Sequence, residues 1–220
     1  MRAATLGAML LARLARFAFE LLYGPLVPLY DWVSRVGFAG EWPRWQRTVL
    51  RFVHGGPTLE LGPGTGDLLP VLAAQGLAPC GLEPSPRMLA RARRKLARRD
   101  PTPCPPLVRG RSEALPFKDG TFGAVVATFP SEYIFQPATW AEIERVLRPG
   151  GDLVVVLGGE LTPDSPGRAL RARAYRLLYG GSEGQAPRLP PLPPSALTPR
   201  QELVATEHGR ALLLVGRKPG

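Results

Sequence analysis

The chain has 220 residues, of which 45% are hydrophobic, and its formal net charge is +10. This length suits a single compact domain with a continuous core. So strong a positive charge raises nucleic acid as a partner, but no basic motif with interleaved aromatic residues accompanies it, and we expect no nucleic-acid partner. The two cysteines, Cys80 and Cys104, have neither metal-ligand nor redox spacing, which predicts a reducing, cytoplasmic location.

Residues 3–23 are predicted to form an amphipathic helix. Arg13 and Arg16 interrupt its apolar residues well short of the ~20 that a membrane span requires. We expect no signal peptide, because no small-residue cleavage site follows. Three roles stay open for this helix: packing on its own domain, closing over an apolar substrate as a lid, or touching a membrane surface as a peripheral contact.

An aromatic-rich segment at 26–53 follows, and it is predicted to hold one or two further helices. The pattern of strands begins only after this segment. We therefore expect an N-terminal helical cap on the substrate side at 1–54 and a core at 55–220, which together form one compact unit.

The core is predicted to alternate strands with helices. The strands are expected at 57–61, 78–83, 107–109, 122–128, 153–157, 201–206 and 210–216. The helices between them are expected to run from a first turn that contains Asp67 to about Gly76, from Pro86 with Ser85 as its cap, and from Pro137 to Leu147.

Two features of this pattern bear on the fold. Strands that alternate with helices predict a parallel sheet with helices on both of its faces. The last two strands are joined by only a few residues and must be antiparallel. Before them lie a basic helix at about 167–179 and a long loop at 187–199, which we expect to border the substrate site.

The helix that begins at Pro86 has a clear 3.6-residue period. Its core-facing residues are predicted to be Met88, Leu89, Ala92 and Leu96. Its outward-facing residues are predicted to be Arg87, Arg91, Arg94 and Arg98, which we interpret as a solvated face.

The most informative feature is a glycine-rich segment that follows the first strand of the core. It reads Glu60-Leu-Gly-Pro-Gly-Thr-Gly66, and the next strand ends in a second carboxylate, Glu83. This is the layout of a βαβ nucleoside site, in which glycines admit the ligand and the second carboxylate accepts the ribose hydroxyls. The glycine spacing does not fit a dinucleotide site, and Asp67 would place a negative charge where a pyrophosphate should lie. The loop therefore suits a nucleoside without phosphates that carries positive charge near Glu60.

Four sequence blocks together resemble the class I S-adenosylmethionine-dependent methyltransferases, and in particular the group that includes the ubiquinone and menaquinone biosynthesis C-methyltransferases. The resemblance covers residues 57–157. Its blocks are Glu60–Gly66, Leu82–Leu89, Gly110–Phe117 and Ala141–Gly151. It implies S-adenosylmethionine as the cofactor and a Rossmann-like α/β fold with a doubly wound seven-stranded sheet. The implied strand order is 3-2-1-4-5-7-6, with strand 7 antiparallel.

The resemblance and the residue chemistry together assign the cofactor contacts. Gly62 and Gly64 let the ligand approach the backbone, and Gly66 allows the turn into the helix. Glu60 attracts the amino group or sulfonium, and Glu83 offers two oxygens to two adjacent hydroxyls. Further expected contacts are Pro84 and Met88 beside the adenine, although Met88 equally suits plain packing, and Thr128 at the end of the fourth strand.

The third block departs from the family pattern at Arg111, where many relatives have an acidic residue that accepts a hydrogen bond from adenine. An arginine has donors and no acceptor. Recognition of the adenine is therefore expected to fall to Ser112 and Glu113, and Arg111 is expected to point to solvent.

The reaction implied by the resemblance is an in-line methyl transfer to a small, apolar or aromatic acceptor, in which positioning supplies most of the acceleration. Glu132 and Tyr133 are the candidate catalytic residues, as a general base or as acceptor contacts, or else they are loop residues facing water. Walls for the acceptor, or a seal over the sheet, are expected from Tyr23, Tyr30, Trp32 and Phe38. No metal site is expected. Two other functions stay open: a binding protein that keeps the cofactor pocket without turnover, and a nucleotide-dependent oxidoreductase.

Overall fold

The computed structural model describes residues 40–99, 104–162, 164, 169 and 189–220. The predicted N-terminal helix lies outside the described residues, and so do Tyr23, Tyr30, Trp32 and Phe38, the four aromatic residues expected to wall the acceptor or seal the sheet. So does most of the helix predicted at 167–179. Within the described part, no helix is both long and apolar enough to cross a membrane.

The elements of the described residues follow the expected alternation. The strands are β1 (Pro57–Leu61), β2 (Ala78–Glu83), β3 (Leu107–Arg109), β4 (Phe122–Thr128), β5 (Leu147–Leu161), β6 (Arg200–Thr206) and β7 (Gly209–Arg217). The α-helices are α1 (Glu41–Arg47), α2 (Leu69–Ala74), α3 (Pro86–Arg99) and α4 (Pro137–Val146). Two 3₁₀ helices complete the set, at Thr48–Arg51 and Glu132–Phe135.

All seven strands belong to one sheet in the order β3-β2-β1-β4-β5-β7-β6. β1 pairs in parallel with β2 on one side and with β4 on the other, so the chain reverses its direction of progress across the sheet at β1. β7 runs antiparallel to both β5 and β6. The predicted fold class and strand order are confirmed. In such a sheet, ligands bind outside the carboxyl ends of the strands at this reversal point.

α3 shows how the sequence sets its local structure. The Ser85 hydroxyl oxygen accepts a hydrogen bond from the Met88 backbone N–H at 3.3 Å, and Pro86 occupies a first-turn position where its missing N–H costs nothing. The four residues predicted to face the core are all buried. The cap and the apolar stripe therefore place the start of α3 directly after Glu83, beside the carboxyl edge of β2.

Two predicted boundaries were wrong. α2 begins at Leu69, so Asp67 precedes the helix, and α2 ends at Ala74. The reason is that Gly62, Gly64 and Gly66 all have positive φ, which extends the loop beyond the point at which a helix could start.

The second wrong boundary concerns β5, which was expected at 153–157 and runs from Leu147 to Leu161. Its carboxyl-terminal extension is paired with β7, up to Leu161 opposite Gly209. At the other end, Gly150 donates a backbone hydrogen bond to the Lys218 carbonyl at 3.0 Å. These pairings join distant segments, and the sequence of β5 alone does not reveal them.

The sheet buries an apolar cluster on each of its faces. On one face, Trp140 of α4 packs with the buried strands β1, β4 and β5. On the other face, Trp45 of α1 packs with Leu68, Leu72 and the opposite side of β4 and β5. Both tryptophans are almost fully buried. α1 is therefore part of the core, and it lies against the same strands whose carboxyl ends form the candidate site.

Candidate cofactor and acceptor site

The glycine loop lies between β1 and α2, at the reversal point of the sheet. Gly64 has φ of 55°, and a β-carbon built there would meet no atom within 4 Å, so the loop opens onto free space at this residue. At Gly66 a β-carbon would lie 3.3 Å from the side chain of Ala92 on α3. The loop is thus open at Gly64 and tightly packed against α3 at Gly66, as expected for a surface that a ligand approaches.

Glu60, at the end of β1, is only 1% exposed. Its Oε2 atom has no hydrogen-bond partner among the described residues. Burial, with the nearby negative charges of Asp67 and Glu83, raises the pKa of Glu60 to about 8. A buried carboxyl group with an unpaired oxygen is costly, and a cationic or hydrogen-bond-donating ligand would remove that cost.

Glu83, at the end of β2, holds the loop in place. Its carboxylate accepts a hydrogen bond from the Gly64 N–H at 3.1 Å and another from the Ser85 N–H at 2.9 Å. Burial raises the pKa of Glu83, and these two hydrogen bonds oppose that rise. Each carboxylate oxygen keeps further acceptor capacity, so the fixed side chain can also receive ligand hydroxyls.

The residues expected near the adenine have different environments. Pro84 is exposed beside Glu83, whereas Met88 is fully buried in the apolar stripe of α3. Ser112 is buried, and its hydroxyl is 3.1 Å from the Thr139 hydroxyl and donates to the Glu113 carboxylate at 3.2 Å. Their contact with adenine remains a prediction, and the burial of Met88 favours its packing role.

Arg111 has a side chain that is 79% exposed, with a long ion pair of 3.8 Å to Glu113. Its orientation toward solvent agrees with the expectation that it does not take over the acidic residue's role.

At the carboxyl end of β4, the structure brings together residues that the sequence did not connect. The Gln46 side-chain amide donates to the Thr128 hydroxyl at 3.2 Å. The next residue, Phe129, has φ of 51°, a conformation that non-glycine residues rarely adopt. Its ring stacks on Trp42 with centroids 3.7 Å apart. Backbone outliers of this kind cluster at functional sites, and Trp42 and Phe129 are the site candidates that the sequence analysis missed. For Trp42 the only signal was the general aromatic content of residues 26–53.

The two candidate catalytic residues lie in the 3₁₀ helix after β4 and separate clearly. The Tyr133 hydroxyl donates to the Leu61 carbonyl at 3.2 Å, and it lies 3.0 Å from the position that a β-carbon on Gly62 would take. Tyr133 therefore reaches the glycine loop. Glu132 is exposed. The structure brings Tyr133 to the candidate site and leaves Glu132 at the surface.

Asp67 is paired with cations of α3. Its carboxylate accepts hydrogen bonds from Lys95 at 2.6 Å and from Arg99 at 3.0 Å. The negative charge of Asp67 is thus compensated, and it is the glycine spacing that disfavours a dinucleotide. No cluster of potential metal ligands occurs among the residues that the structure describes.

Comparison with known proteins identifies the family. A model of the methyltransferase domain matches residues 59–155. A demethylmenaquinone methyltransferase from Thermus thermophilus is 35% identical over 164 residues, which are 72% of this chain and 70% of that protein. The chain belongs to the class I S-adenosylmethionine-dependent methyltransferases.

The relatives of this chain are named for different acceptors. A phosphatidylethanolamine N-methyltransferase from Cereibacter sphaeroides is 36% identical over 129 residues, covering 58% of this chain and 62% of that protein. The chain spans between 56% and 63% of the length of four such curated relatives. Among solved structures, a SAM-dependent methyltransferase from Thermotoga maritima superimposes with a TM-score of 0.57 at 17% identity, over 90% of this chain and 99% of that one, which supports the fold.

The candidate site of this chain fits S-adenosylmethionine, the cofactor of the family. Three observations agree with it: the unpaired oxygen of Glu60 suits a cationic or amino group, the remaining acceptor capacity of Glu83 suits ribose hydroxyls, and the open space at Gly64 admits the ligand. None of these features calls for a phosphate. The individual contacts remain predictions.

Proposed function

We propose that this protein transfers a methyl group from S-adenosylmethionine to a small acceptor with an apolar or aromatic body. The observation that carries the proposal is the pair of buried carboxylates at the reversal point, of which Glu60 has an oxygen without a partner in the described residues. Family membership supports the cofactor. The acceptor is inferred from the geometry at the ends of β4 and α1.

The chain's part in the reaction is binding and orientation. When bound, S-adenosylmethionine supplies a methyl group activated by a positively charged sulfur. Glu60 would offer its unpaired oxygen to a positive or donating group of the cofactor, and Glu83 would receive the two ribose hydroxyls, since the Gly64 and Ser85 N–H groups fix its carboxylate. The role of the surrounding residues would be to hold the acceptor in line with the activated methyl group, which is a matter of positioning.

A proton acceptor is needed only when the acceptor group must lose a proton. We propose Tyr133 as the acceptor-side contact, because its hydroxyl lies against the glycine loop. Glu132 is the weaker candidate because its side chain is exposed.

The stacked pair Trp42 and Phe129 supports an aromatic acceptor. It places flat apolar surface at the carboxyl end of β4, next to Thr128. Relatives are named for demethylmenaquinone and, in one case, for phosphatidylethanolamine with transfer to nitrogen. We propose a quinone-type acceptor for this chain, because the aromatic pair suits a flat ring.

We also propose that residues 1–54 act as the cap on this acceptor side. α1, which lies in the described part of the cap, supports the idea through the contacts of Trp42 and Gln46 with the end of β4. Removal of residues 1–23 tests it. A lid predicts intact cofactor binding with lost methylation, whereas a structural seal predicts an unfolded product, and a folded, fully active truncated protein would contradict the cap.

Methyl transfer itself can be measured with S-adenosylmethionine labelled in the methyl group. The acceptors to compare are a reduced demethylmenaquinone with a short side chain and phosphatidylethanolamine in detergent micelles. We expect label in the quinone fraction and none with Gly64→Val. Label in phosphatidylethanolamine would contradict the quinone proposal but keep methyl transfer. Cofactor binding without transfer to either acceptor would favour the alternative of a binding protein without turnover.

A further inference from the structure

The outward face of α3 carries a narrow row of arginines. At 100° per residue, Arg87, Arg94 and Arg98 project within about 20° of the direction of Arg87. Leu96, which is fully buried, projects on the opposite side. All three arginines are exposed. The row follows a helix of 14 residues, which is about 21 Å long.

Arginines elsewhere on the described surface are mostly matched by a carboxylate. Arg200 pairs with Glu202 at 2.8 Å, and Arg210 pairs with Glu160 at 2.7 Å. Arg145 likewise pairs with Glu142 at 2.8 Å. Each of these pairs places a negative charge beside an arginine of the terminal strands or of α4.

The three arginines of the row on the outer side of α3 are not paired with carboxylates of the described residues. Arg87, Arg94 and Arg98 form no ion pair within the part of the chain that the structure describes, and neither does Arg109, which is exposed on the neighbouring edge strand β3. The carboxylate of Asp67, on the inner side, is already paired with Lys95 and Arg99 of the same helix. We call Arg87, Arg94, Arg98 and Arg109 the cationic face. Its charge is segregated, which a merely solvated surface does not require.

The cationic face adjoins the candidate site. α3 begins three residues after Glu83, so its Arg87 end lies at the carboxyl edge of the sheet. β3 is parallel to β2, with Arg109 opposite Glu83, so Arg109 lies at the same edge. A partner held at the Arg87 and Arg109 end of this face would therefore lie at the same edge of the sheet as the candidate site.

We propose that the cationic face docks the protein on a bilayer that contains anionic phospholipid. The inference rests on the proposed function, since an apolar acceptor would be held in such a bilayer. Cations near an anionic membrane surface each contribute a favourable and salt-sensitive attraction. The other exposed residues of α3 include Pro86, Ala90 and Ala97, which provide no aromatic surface for stacking bases. The contact is expected to be peripheral, because the cationic face offers no large apolar side chain to insert into the bilayer. Among the described residues, the large exposed apolar side chain is that of Leu203, on β6 at the far edge of the sheet.

Sedimentation with vesicles tests this docking. The full-length protein is mixed with vesicles of neutral phosphatidylcholine, or of phosphatidylcholine with phosphatidylglycerol, at low and moderate salt. The test variant is Arg87→Gln with Arg94→Gln and Arg98→Gln. The control variant is Arg200→Gln with Arg210→Gln and Arg217→Gln, which removes the same formal charge from three exposed arginines outside the cationic face. Thermal unfolding and binding of S-adenosylhomocysteine check that both variants are folded.

We expect wild type to bind the anionic vesicles and not the neutral ones. The test variant should lose roughly 100-fold in affinity, at about five-fold for each arginine near the surface, while the control stays within about three-fold. No binding to anionic vesicles, or an equal loss in the control, would overturn the proposal. Tighter binding to single-stranded RNA than to vesicles, lost in the test variant, would overturn it in favour of nucleic acid. Binding of S-adenosylhomocysteine is independent of these results, so a failure of docking can be told from a failure of the proposed function.

Discussion

The cofactor side and the acceptor side of this site are built in different ways. On the cofactor side, the contacts that shape the site join residues close in sequence: Glu83 holds Gly64, 19 residues away, and Ser85, two residues away. On the acceptor side, Gln46 reaches Thr128 across 82 residues, and the carboxylate of Glu41 on the same helix receives the Thr206 hydroxyl across 165 residues. The first half is a local βαβ unit, whereas the second half exists only when the whole sheet has formed.

This difference predicts that substitutions on the two sides will affect different measured properties. Changes in the βαβ unit should alter cofactor affinity with limited effect on the rest of the fold. Changes on the acceptor side should alter stability or methyl transfer and leave cofactor affinity nearly unchanged.

The largest effect is expected for Gly64→Val. The side chain would fill the open space at the loop, and we expect cofactor affinity to fall by roughly 100-fold or more, the upper range of steric overpacking. Gly76→Val is the matched control, because Gly76 also has positive φ and no atom within 4 Å of an added β-carbon, but lies beyond α2. Both variants should lose about 1–3 kcal/mol of stability from backbone strain. Calorimetric titration with S-adenosylhomocysteine should show weakened binding for Gly64→Val alone. Equal binding by the two variants would contradict the placement of the cofactor at Gly64.

Glu83→Ala is expected to weaken the cofactor by about 1.5–3 kcal/mol, the usual effect of losing a hydrogen bond to a charged group. It also frees the Gly64 N–H that fixes the loop. Glu83→Gln keeps one carbonyl acceptor and should bind with intermediate affinity. Titration calorimetry orders the three proteins, and an alanine variant that binds like wild type would remove Glu83 from the site.

Glu60 should make stability depend on pH in a recognisable direction. Its pKa rises from 4.5 to about 8 in the folded protein, so between these values the folded state holds a proton that the unfolded state has released. The free energy of unfolding therefore falls as the pH rises from about 4.5 to 8, because the folded protein holds Glu60 in its protonated form. Glu60→Gln lacks that decrease and should gain stability relative to wild type over the same window, on the order of a few kcal/mol. Denaturant unfolding at several pH values measures it, and parallel pH curves for the two proteins would contradict the assigned environment.

Trp42→Ala tests the acceptor side. Loss of the stack on Phe129 should cost about 1–3 kcal/mol of stability. Affinity for S-adenosylhomocysteine should change by less than about two-fold, because Trp42 lies outside the βαβ unit. Chemical unfolding and calorimetry together give both values. A large loss of cofactor affinity would show that the two halves are coupled.

The smallest effect is expected for Arg111→Asp. Arg111 is exposed and makes only a long ion pair, so its replacement should preserve cofactor affinity or tighten it by about two-fold. Calorimetry with the same ligand decides the matter. A large loss would mean that Arg111 itself contacts the adenine.

The same contrast explains what the sequence could predict. Glu60, Glu83 and the glycine spacing belong to one βαβ unit, so a local pattern was enough to locate them, whereas the strand order was implied by the family resemblance. The stack of Trp42 on Phe129 and the extension of β5 along β7 depend on pairings between distant segments. Periodicity within one element carries no record of such partners. The start of α2 was misplaced because Gly62, Gly64 and Gly66 all adopt positive φ and lengthen the loop, which helix propensity does not predict.

The central claim is that the described βαβ unit recognises a nucleoside without phosphates. Titration calorimetry of wild-type protein with S-adenosylhomocysteine and with NAD tests it most directly. We expect micromolar binding of S-adenosylhomocysteine and no measurable binding of NAD. Binding of NAD with equal or greater affinity would contradict the assignment of this site.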